Sequence, residues 1–184
     1  MKEKRDEIII LRLTKTEKNR IYDELETRYA EQTSRIRQLV AQCKNADSTE
    51  QKRLMKRILL LGTYIKRSVN LRFLCREYEL LPQQEIRLTV DEAVRAMTAC
   101  GTECGVVYRT TGPMRATEVL RLFDLLKDVA EHAIDELQSL FISVSDSEMD
   151  LSVECAADLS VLATRKVTVC NEDGLWLIRT QIGG

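Results

Sequence analysis

The sequence has few of the residues that interrupt helices. It contains two prolines and seven glycines in 184 residues, and aromatic residues make up 5%. A turn-rich all-β fold needs many glycines and prolines, so these counts argue against one and favour long helices. Apolar residues make up 44% and charged residues 31%, which is typical of a folded protein and not of a disordered chain.

Several function classes lack their usual sequence signals. The longest apolar run near the amino terminus, Ile8 to Leu11, is far shorter than the roughly 20 residues that cross a bilayer. No secretion signal with a hydrophobic core and a small-residue cleavage site is visible, so we expect a cytoplasmic location. A net charge of −1 argues against nucleic-acid binding, because dedicated binders usually carry a large basic excess.

The sequence also has few residues that could serve as metal ligands or as the general base of a nucleophilic enzyme. The chain has one histidine, His132, which leaves little room for a hydrolase that needs a base beside its nucleophile. Cys100 and Cys104 alone do not make a zinc site, which usually takes four ligands. We therefore expect no metal and reduced thiols, most of them in apolar stretches, at Cys43, Cys75, Cys100, Cys104, Cys155 and Cys170.

The first half of the sequence predicts two long helices. From Lys4 to Cys43 there is no glycine or proline, and apolar residues recur at steps of three and four between charged ones. The polar stretch Asn45 to Ser48 then predicts a turn. Ser48 and Gln51 form a capping box for a second helix that runs to about Leu80 and stops at Pro82.

These two helices are expected to form an antiparallel hairpin. A lone helix pair buries only part of its apolar stripes, so a second hairpin is needed to complete the core. We therefore expect a homodimer held by a four-helix bundle.

After Pro82 the pattern changes to short alternating segments, which predict a small α/β sandwich in the order βαβαββ, a gap, then ββ. The pair Asp173 and Gly174 predicts a tight hairpin turn. The predicted strands are Glu85 to Leu88, Cys104 to Arg109, Phe141 to Val144, Met149 to Cys155, Lys166 to Cys170 and Leu175 to Arg179, with helices from Thr89 to about Cys100 and from Pro113 to about Gln138.

Two segments resemble bacterial sensor histidine kinases. Arg20 to Leu25 is similar to the phosphoacceptor box of that family, and Tyr64 to Leu71 looks like a segment of a clostridial-type group. The resemblance covers almost the whole chain and implies a two-component signalling protein of the α+β class. It implies a dimerisation hairpin over residues 1–82 and an ATPase-like α/β domain over residues 83–184.

The residues that carry the family's chemistry are replaced, so the chain looks like a degenerate member, a pseudokinase. Glu26 stands at the phosphoacceptor-like position, where the family has a histidine. Asp128 and His132 fall where the resemblance implies residues facing the nucleotide and its magnesium, and Asp158 falls near the adenine-reading aspartate. Glycine-rich nucleotide turns are missing, because no glycine occurs between Pro113 and Gly174.

The leading hypothesis is a homodimeric scaffold or regulator without phosphotransfer and without a cofactor. The resemblance implies a response regulator or another kinase as partner. The segment Lys4 to Leu13 looks like a continuing signalling helix, which is compatible with attachment to a membrane receptor upstream. Two alternatives stay open: an active protein kinase that uses ATP and magnesium at an atypical site around Asp128 and His132, and a coiled-coil adaptor unrelated to kinases.

Overall fold

A computed structural model describes residues 15–182, so the predicted helical segment before residue 15 lies outside the described residues. The chain forms a hairpin of two long helices followed by a two-layer unit in which helices cover one face of a sheet. The predicted α+β class, with a helical hairpin ahead of a small α/β unit, is confirmed.

The hairpin consists of α1 (Lys15–Cys43, 29 residues) and α2 (Ser48–Glu77, 30 residues). Near its loop the two helices hold together through a small apolar cluster of Leu39, Leu54 and Leu61. Fully burying one such leucine stabilises a fold by about 1.5–3 kcal/mol, so this end has a modest core of its own.

The cap of α2 differs from the predicted one. Asp47, not Ser48, is the N-cap residue, and its Oδ1 accepts hydrogen bonds of 2.9 Å from the backbone N–H groups of Thr49 and Glu50. The predicted capping box at Ser48 was wrong, because the carboxylate of the preceding residue, Asp47, already accepts from both N–H groups. Gln51 instead donates from Nε2 to the backbone oxygen of Cys43.

The segment after the hairpin is helical where a strand was predicted. A short strand, β1 (Leu80–Leu81), is followed by α3 (Gln83–Ala99), which includes residues 85–88. Pro82 precedes the helix as its N-cap residue, where a missing N–H costs nothing. The strand prediction was wrong because the buried residues of this segment recur at helical spacing, at Ile86, Thr89, Val90, Ala93, Ala96 and Met97.

The remaining elements build the sheet layer. They are β2 (Glu103–Tyr108), β3 (Met114–Arg115), α4 (Ala116–Ala133), β4 (Ser139–Val144), β5 (Glu148–Glu154), a 3₁₀ turn at Ser160–Leu162, β6 (Val167–Glu172) and β7 (Leu175–Gln181). The five-stranded sheet has the order β2-β4-β5-β7-β6; β2 and β4 are parallel and the other pairs are antiparallel. A two-stranded pair joins β1 to β3.

Both predicted hairpins of the sheet are confirmed. Strands β4 and β5 pair antiparallel, as do β6 and β7. The second turn places Asp173 at φ 51° and Gly174 at φ 90°, the left-handed region that favours glycine. The helix predicted from Pro113 to about Gln138 begins at Ala116, because residues 114–115 pair with β1, and it already ends at Ala133.

One apolar core joins the hairpin to the sheet layer. The inward side chains of the sheet, such as Ile142, Leu151 and Ile178, are fully buried against α3 and α4. From the hairpin, Tyr64 and Leu71 of α2 belong to the same cluster. No helix within residues 15–182 is long and apolar enough to cross a membrane.

Candidate functional site

The four residues predicted from the sequence to form a site lie on three separate parts of the fold. Glu26 lies on α1 with an exposed side chain, and Asp158 lies exposed just before the 3₁₀ turn. Asp128 and His132 lie on α4, one helical turn apart. Across residues 15–182, no hydrogen bond or ion pair brings Glu26 or Asp158 to the pair on α4.

Asp128 and His132 interact mainly within their own helix. The Oδ1 of Asp128 is 2.6 Å from the Nζ of Lys127. The Nδ1 of His132 is 2.7 Å from the backbone oxygen of Asp128 and donates to it, since a carbonyl only accepts. The contact between the two residues therefore uses the backbone of Asp128, and its carboxylate is paired with a cation instead.

Asp158 stabilises a local turn. Its Oδ1 accepts a 2.9 Å hydrogen bond from the backbone N–H of Ser160, at the start of the 3₁₀ turn. Hydrogen bonds from the hydroxyl and backbone of Ser160 hold the pKa of Asp158 below its ordinary value of 3.8. In the described part of the chain no group of three His, Cys, Asp or Glu residues is arranged to hold a metal.

Sequence reasoning missed a buried polar junction between the two hairpin helices. The hydroxyls of Tyr29 on α1 and Ser68 on α2 are joined by a 2.6 Å hydrogen bond, and both residues are buried. Arg72 on α2 donates from Nε to the same tyrosine hydroxyl at 2.9 Å. Because buried polar groups need partners, these bonds set which turns of α1 and α2 face each other.

The junction continues from α2 onto α4 through Tyr64. The rings of Tyr64 and Phe123 stack, with centroids 5.7 Å apart and an interplanar angle of 15°. The Tyr64 hydroxyl donates to Oδ1 of Asp124 at 3.1 Å, and Lys127 places its Nζ 5.1 Å from the centre of the Tyr64 ring. A cation over an aromatic ring is attracted to it, which adds to the stacking.

Burial of the junction changes the proton affinities of both partners. It raises the pKa of Tyr64 to about 12, with a further contribution from the charge of Asp124. It also raises the pKa of Asp124 above its ordinary value of 3.8, although the Tyr64 hydroxyl and the nearby Arg72 act in the opposite direction. The pair thus behaves as a structural hydrogen bond in which tyrosine keeps its proton at neutral pH.

A buried arginine joins α2 to α3. The guanidinium of Arg67 donates from Nη2 to Oγ1 of Thr89 at 2.7 Å and to Oε2 of Glu85 at 3.2 Å. A second carboxylate, that of Glu92, has its Oε2 3.6 Å from Nε of Arg67. Removing one partner of a buried ion pair leaves an uncompensated charge, so this cluster fixes how α2 and α3 pack.

The segment Tyr64 to Leu71 carries the sequence signal that points to this junction. Three of its members, Tyr64, Arg67 and Ser68, make buried or half-buried polar contacts from α2. Tyr64 and Ser68 are four residues apart and share one helix face, whereas Arg67, next to Ser68 in the sequence, turns toward α3. Polar groups on an otherwise apolar face were a usable signal, although their partners could not be read from spacing.

Comparison with known proteins gave structural likenesses only. No protein-family model matches the chain, and no curated protein sequence matches it. It is similar to the Acinetobacter baumannii histidine kinase AdeS, at 13% identity and a TM-score of 0.37, over 82% of this chain and 94% of that one. It is also similar to the Erythrobacter litoralis EL346 blue-light activated histidine kinase, at 10% identity and a TM-score of 0.41, over 86% and 59% of the two chains. A third likeness is to the cytoplasmic segment of histidine kinase QseC, at 10% identity and a TM-score of 0.38, over 75% and 98%.

Proposed function

We propose that this chain is a histidine-kinase-like signalling module that acts as a homodimeric scaffold or regulator without transferring phosphate. Two segments, residues 20–25 and residues 64–71, resemble that family, which supports a histidine-kinase-like module. Glu26 at the phosphoacceptor-like position supports the absence of phosphate transfer, because a carboxylate lacks the neutral imidazole nitrogen that attacks the phosphoryl group. In this proposal residues 1–82 serve dimerisation and residues 83–184 serve docking.

The observation that carries the proposal is the packing of α2 on α4. Tyr64 stacks on Phe123 and bonds to Asp124, one helical turn before Asp128. The hairpin thus covers the turn next to the position that the resemblance gives to magnesium, and Asp128 forms an ion pair with Lys127. Because α4 is packed against the hairpin at this point, a rigid scaffold fits the structure better than an open nucleotide-binding cleft does.

The chain also lacks backbone suited to phosphates. Tight phosphate turns use glycine because backbone N–H groups must approach the ligand closely, and no glycine lies between Pro113 and Gly174. Asp158, which the resemblance sets near the adenine, is hydrogen-bonded to Ser160 in a local turn. Both features favour a role that needs no ATP.

A homodimer is proposed from the surface of the hairpin. Near the hairpin loop, Met55 and Leu59 of α2 are 57% and 43% exposed, one helical turn apart, and Val40 of α1 is also exposed. A second hairpin would cover them in a four-helix bundle. The cytoplasmic location and a response regulator or another kinase as partner stay predictions.

Nucleotide binding and phosphate transfer test the proposal directly. The purified chain is titrated with a fluorescent ATP analogue in excess magnesium, and separately incubated with ATP labelled at the γ-phosphate. We expect no saturable binding up to about 1 mM analogue, which corresponds to less than about 4 kcal/mol of binding free energy. We also expect no label on the polypeptide.

Saturable micromolar binding, or label at any residue, would contradict the proposal. The Asp128→Asn and His132→Gln variants then distinguish the source. If either substitution abolishes both the binding and the label, the chain is an ATP-dependent kinase with an atypical site on α4, as in the first alternative. If the binding is unchanged in both, the nucleotide lies elsewhere.

A further inference from the structure

One face of the five-stranded sheet has no helix over it in the described part of the chain. Successive residues of a strand point to opposite faces, so the neighbours of the buried inward residues point outward. Ile142 is fully buried, whereas Phe141 is 47% exposed. We call the set of outward-pointing residues of β2, β4, β5, β6 and β7 the outer sheet face.

Phe141 forms a fixed apolar patch on the outer sheet face. Its cross-strand partner is Gly105, and an added Cβ at that glycine would lie 3.0 Å from Cδ2 of Phe141. The ring therefore rests on the backbone of β2, and any larger residue at position 105 would displace it. Val107 on β2 and Leu175 on β7 add exposed apolar side chains nearby.

A line of carboxylates runs across the sheet beside this patch. Glu103, Ser139, Glu154, Leu175 and Glu172 are paired in that order from strand to strand, so the three glutamates lie on the first, third and fifth strands. Neighbouring strands are about 4.8 Å apart, so successive glutamates are about 10 Å apart. The Oε2 of Glu154 accepts a 3.0 Å hydrogen bond from Ser139.

The positive charge on this face is already paired. Arg179, on β7, forms ion pairs with Asp150 and Glu148 of the adjacent strand β5. The line of three glutamates therefore gives the outer sheet face a negative potential next to its apolar patch. Such a combination of an aromatic anchor and a charged rim is typical of a protein interface.

We propose that the outer sheet face binds a basic amphipathic helix of a partner protein. Residues seven apart in a helix lie on the same side and about 10.5 Å apart, which matches the spacing of the three glutamates. Phe141 and Leu177 lie on the second and fourth strands, one register row away. A helix lying across the strands, with lysine or arginine every seven residues and apolar residues midway between them, fits both rows.

A second copy of this chain fits the same face poorly. In a symmetric contact both copies use the same surface, so the acidic face that carries Glu103, Glu154 and Glu172 would meet a second acidic face. Like charges at close range are unfavourable. The proposal concerns a surface away from α4 and holds whether or not the chain binds nucleotide.

A synthetic peptide serves as the probe. It carries lysine at positions i, i+7 and i+14, leucine at positions between them, and alanine and glutamine elsewhere, with a fluorescent label at its amino terminus. Its control has glutamate in place of every lysine. In fluorescence anisotropy titrations with the full chain we expect saturable binding of the lysine peptide, at least about tenfold weaker binding of the glutamate peptide, and weaker binding at high salt.

Variants of the chain locate the binding. The triple substitution Glu103→Lys, Glu154→Lys and Glu172→Lys, and separately Phe141→Ser, should each weaken binding at least about tenfold. The matched control changes three exposed glutamates away from the sheet, Glu31→Lys, Glu77→Lys and Glu79→Lys, and should leave the affinity within about twofold.

Four results would overturn the proposal. They are no saturable binding of the lysine peptide, equal binding of the two peptides, equal loss of affinity in the two triple variants, and a chain dimer that only the sheet triple variant dissociates. The last result would make a second copy the occupant. Circular dichroism of every variant checks the fold. If a variant is unfolded, the proposal is tested by comparing the affinities of the lysine and glutamate peptides for the unsubstituted chain.

Discussion

At the residue scale, three polar pairs in or beside the core join α2 to its neighbouring helices. Tyr29 pairs with Ser68, Tyr64 with Asp124 and Arg67 with Glu85, and in each pair one member comes from α2. A hydrogen bond in a buried site contributes little net stability when made, but its loss leaves a desolvated group. These pairs therefore select one arrangement of α2 among the many that its apolar stripe would allow.

The Tyr64→Phe substitution tests this reading at one bond. It keeps the ring stacked on Phe123 and removes the hydroxyl that donates to Asp124, so a half-buried carboxylate loses this donor. We expect the free energy of unfolding to fall by about 1–3 kcal/mol in chemical denaturation. The control Tyr78→Phe, at a side chain 47% exposed, should change it by less than about 0.5 kcal/mol. Equal effects of the two substitutions would contradict the role of the hydroxyl.

Some of these residues could be found from the sequence and others could not. The four-residue spacing of Tyr64 and Ser68 places these two on one helix face, and the family resemblance covers the same segment. Their partners could not be predicted, because Tyr29 and Asp124 lie 39 and 60 residues away in the chain. His132 is the only histidine in the sequence, yet its Nδ1 bonds to a backbone oxygen of its own helix.

At the element scale, the elements fixed by local chemistry were predicted well. The turn at Asp173 and Gly174 needs positive φ angles, which these residue types accept, so the hairpin of β6 and β7 followed from two residues. The segment 85–88 alternates apolar and polar residues over four positions and so resembles a strand. Over a longer stretch, the buried residues Ile86, Val90 and Met97 follow a helical period. Because a helix buries all three on one side, the segment forms α3 and not a strand.

The start of α2 gives a test between two neighbouring caps. Asp47→Ala removes the carboxylate that accepts from two N–H groups and should lower the free energy of unfolding by about 1 kcal/mol. Ser48→Ala removes the predicted cap and should cost less than about 0.5 kcal/mol. Chemical denaturation of the two variants measures both losses of unfolding free energy. A larger loss for Ser48→Ala than for Asp47→Ala would support the capping box at Ser48 instead.

At the scale of the whole molecule, the hairpin is only partly covered by the α/β unit. A helix of 30 residues is about 45 Å long, and the main core takes residues such as Tyr64 and Leu71 from α2. The loop end depends on the smaller cluster of Leu39, Leu54 and Leu61. Its outer surface exposes Met55 and Leu59, so the proposed dimer would use this end and not the acidic outer sheet face.

The double substitution Met55→Glu and Leu59→Glu tests the proposed dimer of hairpins. Charges at these exposed positions leave the core intact but cannot be buried in a four-helix bundle, so we expect the dimer to weaken at least about tenfold in sedimentation equilibrium. The matched control, Val107→Glu with Val161→Glu, changes two exposed valines of the α/β unit and should leave the dimer unchanged. A dimer that survives the first pair and dissociates with the second would move the interface from the hairpin to the α/β unit, since only there would the new charges be buried.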